Sequence, residues 1–205
     1  MAFLHLLKRI ESDGGAPLGT LNEEIVRIDA LLAEQRSGAY SIEAAVERFA
    51  RERRAANPAG YADEYKRIAL DNVDAFVVPV PGARALFGEL RELHVPYALL
   101  TNGWSPLQQR KAACIGFDGP VIASADIGVQ KPDADAFEAL AQTLGCPRES
   151  IAYVGDNAEA DIGGAIHAGL CGVWFDAENA AYPTDAPKPS AVIHSLHQVL
   201  ALVRP

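Results

Sequence analysis

Three segments of this chain end apolar runs in side chains suited to binding an anion or a cation. In open parallel sheets, ligands sit beyond the carboxyl ends of the strands, so such ends are searched first. Leu99-Leu100-Thr101-Asn102-Gly103 stops at a hydroxyl, an amide and a glycine. The Thr101 hydroxyl and nearby backbone N–H groups can donate to phosphate oxygens, and Gly103 lets the backbone approach closely. A turn followed by a helix cap explains the same residues, and for this block alone it is the simpler account. Gly128-Val129-Gln130-Lys131-Pro132-Asp133 carries a lysine held in extended backbone by the proline after it. Its ammonium can neutralise a phosphate and the charge developing on transfer; a solvated surface lysine is the plain alternative.

The third segment, Tyr153-Val154-Gly155-Asp156-Asn157-Ala158-Glu159-Ala160-Asp161, is the most informative. Asp156 ends a buried strand, and Asp161 follows across the turn into a helix. Two carboxylates at the mouth of a sheet suit a hard divalent cation such as Mg²⁺, which keeps waters and shares oxygens with a phosphate. Asp161 can instead orient a lysine. On a purely structural account, Asn157 or Asp156 caps the helix and Asp161 is exposed. Gly163 and Gly164 inside that helix cost about 1 kcal/mol each relative to alanine, which implies unusually close packing against the sheet.

The elements that position these segments fall into two parts. Up to about Val78 the pattern is helical only. Phe3, Leu6, Leu7 and Ile10 share one face. Thr20 and Glu23 form a capping-box signature ahead of a Leu21, Ile25, Ile28, Leu32 stripe. Ser41 opens a helix with Ala45, Val46 and Phe49, and Tyr61, Tyr65 and Ile68 mark a fourth. Gly14-Gly15, Gly38 and Asn57-Pro58-Ala59-Gly60 separate them, giving a small bundle. From residue 79 to 205, helices alternate with short apolar strands at 96–100, 121–123, 151–154, 172–175 and 191–193. That alternation predicts an α/β fold, a parallel sheet covered on both faces. Ser105 with Pro106 reads as the cap and first residue of a helix.

Bulk properties narrow the function classes. A formal charge of −9 argues against nucleic acid, which rewards basic patches. No apolar run approaches the ~20 residues of a spanning helix, so a membrane partner is not expected. Met1 to Ile10 shows no signal or transit pattern and reads as an amphipathic helix. Cys114, Cys146 and Cys171 are odd in number and lack C-x-x-C spacing, which fits a reducing, cytoplasmic setting.

Together and in this order, the three blocks resemble motifs two, three and four of the haloacid dehalogenase superfamily. Leu-Thr-Asn-Gly at 100–103 looks like the second motif of its phosphatase branch. Gly-Val-Gln-Lys-Pro-Asp at 128–133 looks like the third, with Phe137 beyond it, and Gly-Asp-Asn-Ala-Glu-Ala-Asp at 155–161 is similar to the fourth. The resemblance implies a Rossmann-like core at 79–205 and a small helical cap at 1–78 that shields the site and selects the substrate. It further implies Mg²⁺-dependent transfer of a phosphoryl group from a small phosphorylated metabolite to an aspartate, then hydrolysis. Thr101, Asn102 and Gly103 would hold the phosphoryl oxygens and Lys131 their charge. Asp156 would hold the metal, with Asp161 beside it or paired with Lys131.

The family's first motif, an apolar strand ending in D-x-D ahead of the cap, has no counterpart in these residues. Asp13, in Glu11-Ser12-Asp13-Gly14-Gly15, follows an amphipathic helix and has no second aspartate two positions on; it reads as a turn. The missing strand would lie mid-sheet, between those ending at Thr101 and Asp156. Its loss leaves those strands to pair directly, borrow a strand or remain marginally stable, and makes self-association into a homo-oligomer an option. The leading expectation is a phosphatase with its nucleophile segment lost and its activity impaired. The rival is a non-catalytic module that binds phosphate compounds or a partner protein. A true dehalogenase would leave the acidic pair at 156 and 161 without a purpose.

Overall fold

The computed structural model describes residues 2–36 and 40–203; Met1 and the Gly38 break lie outside them. The chain divides into two compact units, Met1–Phe76 and Val77–Pro205.

The first unit is helical: α1 (Ala2–Ser12), α2 (Leu21–Arg36), α3 (Ile42–Glu52), α4 (Gly60–Asp71) and the short α5 (Val73–Phe76). Its core gathers Phe3, Leu6, Leu7 and Ile10 of α1 with Val46 and Phe49 of α3 and Tyr61 and Ile68 of α4. Local signals act where they stand. The Thr20 N–H donates to Glu23 Oε2 at 2.7 Å while the Glu23 N–H donates back to Thr20 Oγ1 at 3.4 Å, and Ser41 caps α3 through the Ala44 N–H.

The α2 stripe is corrected. Leu21 is 60% exposed, and the buried positions are Glu24, Ile28 and Leu31. Glu24 turns inward because Arg53, completely buried at the end of α3, ion-pairs with it. Arg53 also reaches Glu11 at 2.9 Å, and its guanidinium lies 5.6 Å from the Phe49 ring centroid.

The second unit is α/β, with α6 (Ala83–Glu92), β1 (Leu99–Thr101), α7 (Leu107–Cys114), β2 (Val121–Ala123), α8 (Ser124–Ile127) and α9 (Ala134–Leu144). It continues with β3 (Ala152–Gly155), a π-helical turn (Ala158–Gly163), α10 (Gly164–His167), β4 (Cys171–Phe175), β5 (Ala191–Ile193) and α11 (Leu200–Val203). Every strand pair is parallel, but the strands form two sheets, β1-β2 and β3-β4-β5. Of the three outcomes open to β1 and β3, direct pairing does not occur. The tie between them is instead a side chain: the Tyr153 hydroxyl donates to the Leu100 carbonyl at 3.2 Å.

The period-2 alternation of β3 explains how both faces are covered. Ile151 and Tyr153 join Leu100 and the Ala136, Phe137, Leu140 face of α9. Ala152 and Val154 face Leu86 and Leu90 of α6, with Val173 and Ile193.

The glycine pair is corrected in part. A Cβ on Gly164 would meet Phe137 Cε2 at 2.6 Å and Pro132 Cα at 3.0 Å, so close packing is real but is against α9 and the lysine loop. Gly163 has only ordinary contacts; the tight helix–sheet approach lies at Gly172 of β4, whose Cβ would meet Ile162 Cγ2 at 3.0 Å. Ser105 does not cap α7, which starts at Leu107 without a side-chain cap. Its hydroxyl bonds Asp126 and accepts from Gln109.

Candidate active site

The three motif segments are stitched to one another by side chains. Asn102, one residue past β1, makes two opposed bonds with the Lys131 backbone. Its Nδ2 donates to the Lys131 carbonyl at 2.9 Å, and its Oδ1 accepts from the Lys131 N–H at 2.9 Å. The amide thus mimics a strand neighbour and brings the β1 end to the lysine loop. The Lys131 ammonium in turn donates to Asp161 Oδ1 at 2.5 Å, and Asp161 Oδ2 accepts from the Asn157 N–H at 3.0 Å. Asn157 caps the π-helical turn through the Glu159 and Ala160 N–H groups. Asp156, immediately before it, is exposed at the carboxyl end of β3. Its carbonyl accepts from the Trp174 indole N–H at 3.3 Å.

Each expected residue can now be placed. Thr101 is half-buried at the end of β1, between Leu100, which accepts from Tyr153, and Asn102, which grips Lys131. Lys131, Asp161 and Asn157 are joined directly, with Asp156 adjacent in the chain. Two residues are committed elsewhere. Asn102 spends both ends of its side-chain amide on the Lys131 backbone, and the Gly103 N–H donates to Ser124 Oγ at 2.9 Å, so these groups already have protein partners. Asp161 has both oxygens engaged and is buried, which favours pairing with the lysine over direct metal ligation and overturns the exposed-cap account of it.

Tyr153 is the close neighbour of these residues that pattern reading missed. Its ring centroid lies 5.5 Å from Lys131 Nζ and 5.0 Å from the Phe137 ring. Burial, then the charge of nearby Asp161, pushes the phenol well above its ordinary range. The available signal was a hydroxyl-bearing aromatic in the otherwise aliphatic run Ile151-Ala152-Tyr153-Val154.

The electrostatics follow from these contacts. The Lys131 and Asp161 side chains are only 13% and 8% exposed, so little water screens the pair. An ammonium has three donors, and one is satisfied by Asp161. The arrangement holds a positive charge, paired with Asp161, on the loop that Asn102 joins to the end of β1. Among the described residues, no group of three or more His, Cys, Asp or Glu side chains could hold a metal alone.

The same segments match known proteins. A model of the haloacid dehalogenase-like hydrolases covers residues 12–169. The chain belongs to that family. Hexitol phosphatase A of Escherichia coli is 32% identical over 157 residues, covering 72% of this chain and 68% of the relative. Pyrimidine 5'-nucleotidase YjjG of Escherichia coli is 36% identical over 130 residues, or 61% of this chain and 56% of the relative. The solved HAD-hydrolase YfnB of Bacillus subtilis superposes with a TM-score of 0.73 at 20% identity, covering 100% of this chain and 92% of that one; that likeness concerns the fold. This chain spans about half the length of the curated relatives it first matches, 56% of the nucleotidase and 40% of a Thermus thermophilus phosphoserine phosphatase. It is a haloacid dehalogenase-like hydrolase of α/β fold with phosphatases among its relatives. No helix among the described residues is long and apolar enough to cross a membrane, and none of the three cysteines is in a disulfide.

Proposed function

We propose that the chain carries the phosphate- and metal-handling part of a Mg²⁺-dependent phosphatase acting on a small phosphorylated metabolite. The observation that carries this reading is the Lys131 ammonium, fixed by Asp161 and delivered by Asn102 to the strand end that bears Thr101. In that position Lys131 neutralises phosphoryl oxygens, and the Thr101 hydroxyl donates to one of them. The donor set fits one hard cation: Asp156 offers an exposed carboxylate, and Mg²⁺ needs only one or two carboxylates when a phosphate and waters complete its shell. When bound there, Mg²⁺ would offset phosphate charge that Lys131 alone leaves unbalanced. Asp161 acts one step back, orienting the ammonium. Hexitol phosphatase A and the nucleotidase YjjG lend support, since both names denote removal of phosphate from small molecules.

The attacking carboxylate is not among the residues gathered here. In this reading it arrives on a strand seated between β1 and β3, and residues 1–205 alone bind phosphate without turning over an ester.

Two measurements on the 205-residue chain test this. Titration calorimetry with inorganic phosphate in Mg²⁺ should show binding that Lys131→Ala weakens at least about tenfold, the scale of one charge-assisted contact. Release of nitrophenol from p-nitrophenyl phosphate should be absent. Phosphate binding indifferent to both Lys131→Ala and Asp156→Asn would end the reading. Turnover dependent on Lys131 would keep the phosphatase and refute the need for an added carboxylate.

A further inference from the structure

The group that touches all three motif segments is Tyr153, and nothing above assigns it a role in the chemistry. Its hydroxyl bonds the carbonyl of Leu100, the residue before Thr101, at 3.2 Å. Its ring stands 5.5 Å from Lys131 Nζ. It sits on β3, three residues ahead of Asp156, with Asp161 among its close charged neighbours. The residue is 8% exposed and packed edge-to-face on Phe137. A leucine would fill this core position without presenting a buried phenol that needs a partner.

We propose that Tyr153 is a positioning residue for the phosphate pocket. Its ring supports the Lys131 ammonium on one side while Asp161 holds it on another, and its hydroxyl sets the end of β1 against β3. Between them these contacts set Thr101, at the end of β1, and Lys131, on its loop, against β3, with which β1 shares no ladder. An ammonium on a four-carbon stem has many rotamers. With Asp161 as its sole partner it could pivot about that carboxylate. A ring as second support removes that freedom and leaves the remaining N–H donors facing the anion. Cation–ring attraction is strongest where water is scarce, as it is for a lysine 13% exposed.

This inference rests on the pocket being a phosphate site, so the experiment separates the two. Phosphate affinity in Mg²⁺ is measured for the parent chain, Lys131→Ala, Tyr153→Phe and Tyr153→Leu. The shifts of the Lys131 ε-methylene protons are read by NMR with ¹³C-labelled lysine. The parent should show those protons moved upfield by the ring. Tyr153→Phe keeps the ring and loses only the β1 tie: the upfield shift stays, and affinity falls about threefold. Tyr153→Leu removes both: the shift disappears, and affinity falls about tenfold or more. A merely structural role would lower melting temperature in both variants without grading phosphate affinity in this order. If Lys131→Ala weakens binding while both tyrosine variants bind like the parent, the positioning role is wrong and the phosphate site stands. If Lys131→Ala changes nothing, both fall together. Should the leucine chain fail to fold, unchanged affinity in Tyr153→Phe with no upfield Lys131 shift in the parent overturns the proposal.

Discussion

Each unit of the molecule sets a cation against a buried carboxylate, and the two pairs are built differently. In the helical unit Arg53 is wholly enclosed: Glu24 and Glu11 take its terminal nitrogens and the Phe49 ring lies against it. Its partner Glu24 also accepts from the Leu18 N–H at 2.7 Å, which pins the loop ahead of α2. A planar guanidinium with five donors suits a many-sided junction of this kind. In the α/β unit the cation is a lysine with one carboxylate, one ring and a side still open to solvent. One pair is shut off from solvent and serves the fold, although Arg53 Nε and Glu24 Oε2 find no hydrogen-bond partner there. The other is left unfinished, as a group must be if it is to meet a ligand.

Breaking each pair from the same end gives the largest contrast. Arg53→Met leaves the Glu24 carboxylate, 3% exposed, with the Leu18 N–H but without its cation, and should lower the stability of the helical unit by about 3–5 kcal/mol, the usual loss when one partner of a buried pair is removed. Lys131→Met leaves Asp161 still accepting from the Asn157 N–H and should cost about 1–3 kcal/mol. Urea unfolding followed by far-UV circular dichroism measures both. Arg53→Met combined with Glu24→Leu should recover most of the loss. Equal losses at Arg53 and Lys131 would remove the distinction between a closed and an open pair.

Gly164→Ala tests how tightly the lysine loop is held. The added methyl meets Phe137 and the backbone of Pro132, and overpacking of this kind costs about 1–3 kcal/mol. Because Pro132 follows Lys131, phosphate affinity should fall along with stability. The helical unit has a control in Gly14, where an added Cβ meets nothing within 4 Å but φ is +89°. Gly14→Ala carries backbone strain alone and should leave phosphate binding unchanged.

Alkaline pH should weaken both units, each in part through a tyrosine that packing shields from solvent. The phenols of Tyr153 and Tyr65 are raised above 10.0 by burial first, and for Tyr153 by Asp161 next. Below pH 10 the folded and unfolded chains both hold the proton, so this contribution is fully present. Above it the unfolded chain releases the proton and the folded one keeps it, so stability falls by up to about 1.4 kcal/mol per pH unit for each group. Thermal melts from pH 9 to 11.5 should show the fall. Tyr153→Phe should lessen it in the α/β unit, and Tyr65→Phe in the helical unit.

What could be read in advance divides along sequence distance. The Thr20–Glu23 box, the Ser41 cap, the α3 face and the strand ends at Thr101 and Asp156 depend on neighbours a few residues away, and pattern finds them. The inward Glu24 depends on Arg53, 29 residues on. The Asn102 side-chain amide is bound to a backbone also 29 residues away, and Ser105 is drawn from its helix to Asp126 across 21. In each case a polar side chain with a short-range role available took a long-range partner. Hydrophobic periodicity carries no information about that choice. Tyr153 escaped for the same reason: its apolar ring satisfies the strand pattern, while its hydroxyl and its lysine are tertiary facts.

The smallest expected effect is the cleanest separation of the two units. Ser41 and Asn157 are both N-cap residues, each accepting from backbone N–H groups of the turn that follows. Substitution by alanine should cost about 1 kcal/mol at either position, so unfolding alone does not tell them apart. Asn157 differs because the turn it caps contains Asp161, which also accepts from the Asn157 N–H. Loosening that turn loosens the carboxylate that aims Lys131. Asn157→Ala should therefore weaken phosphate binding about twofold to threefold, less than one whole charge-assisted bond. Ser41→Ala, in the helical unit, should leave it untouched. Equal phosphate affinity in the two alanine variants would mean that the π-helical turn holds Asp161 without its cap.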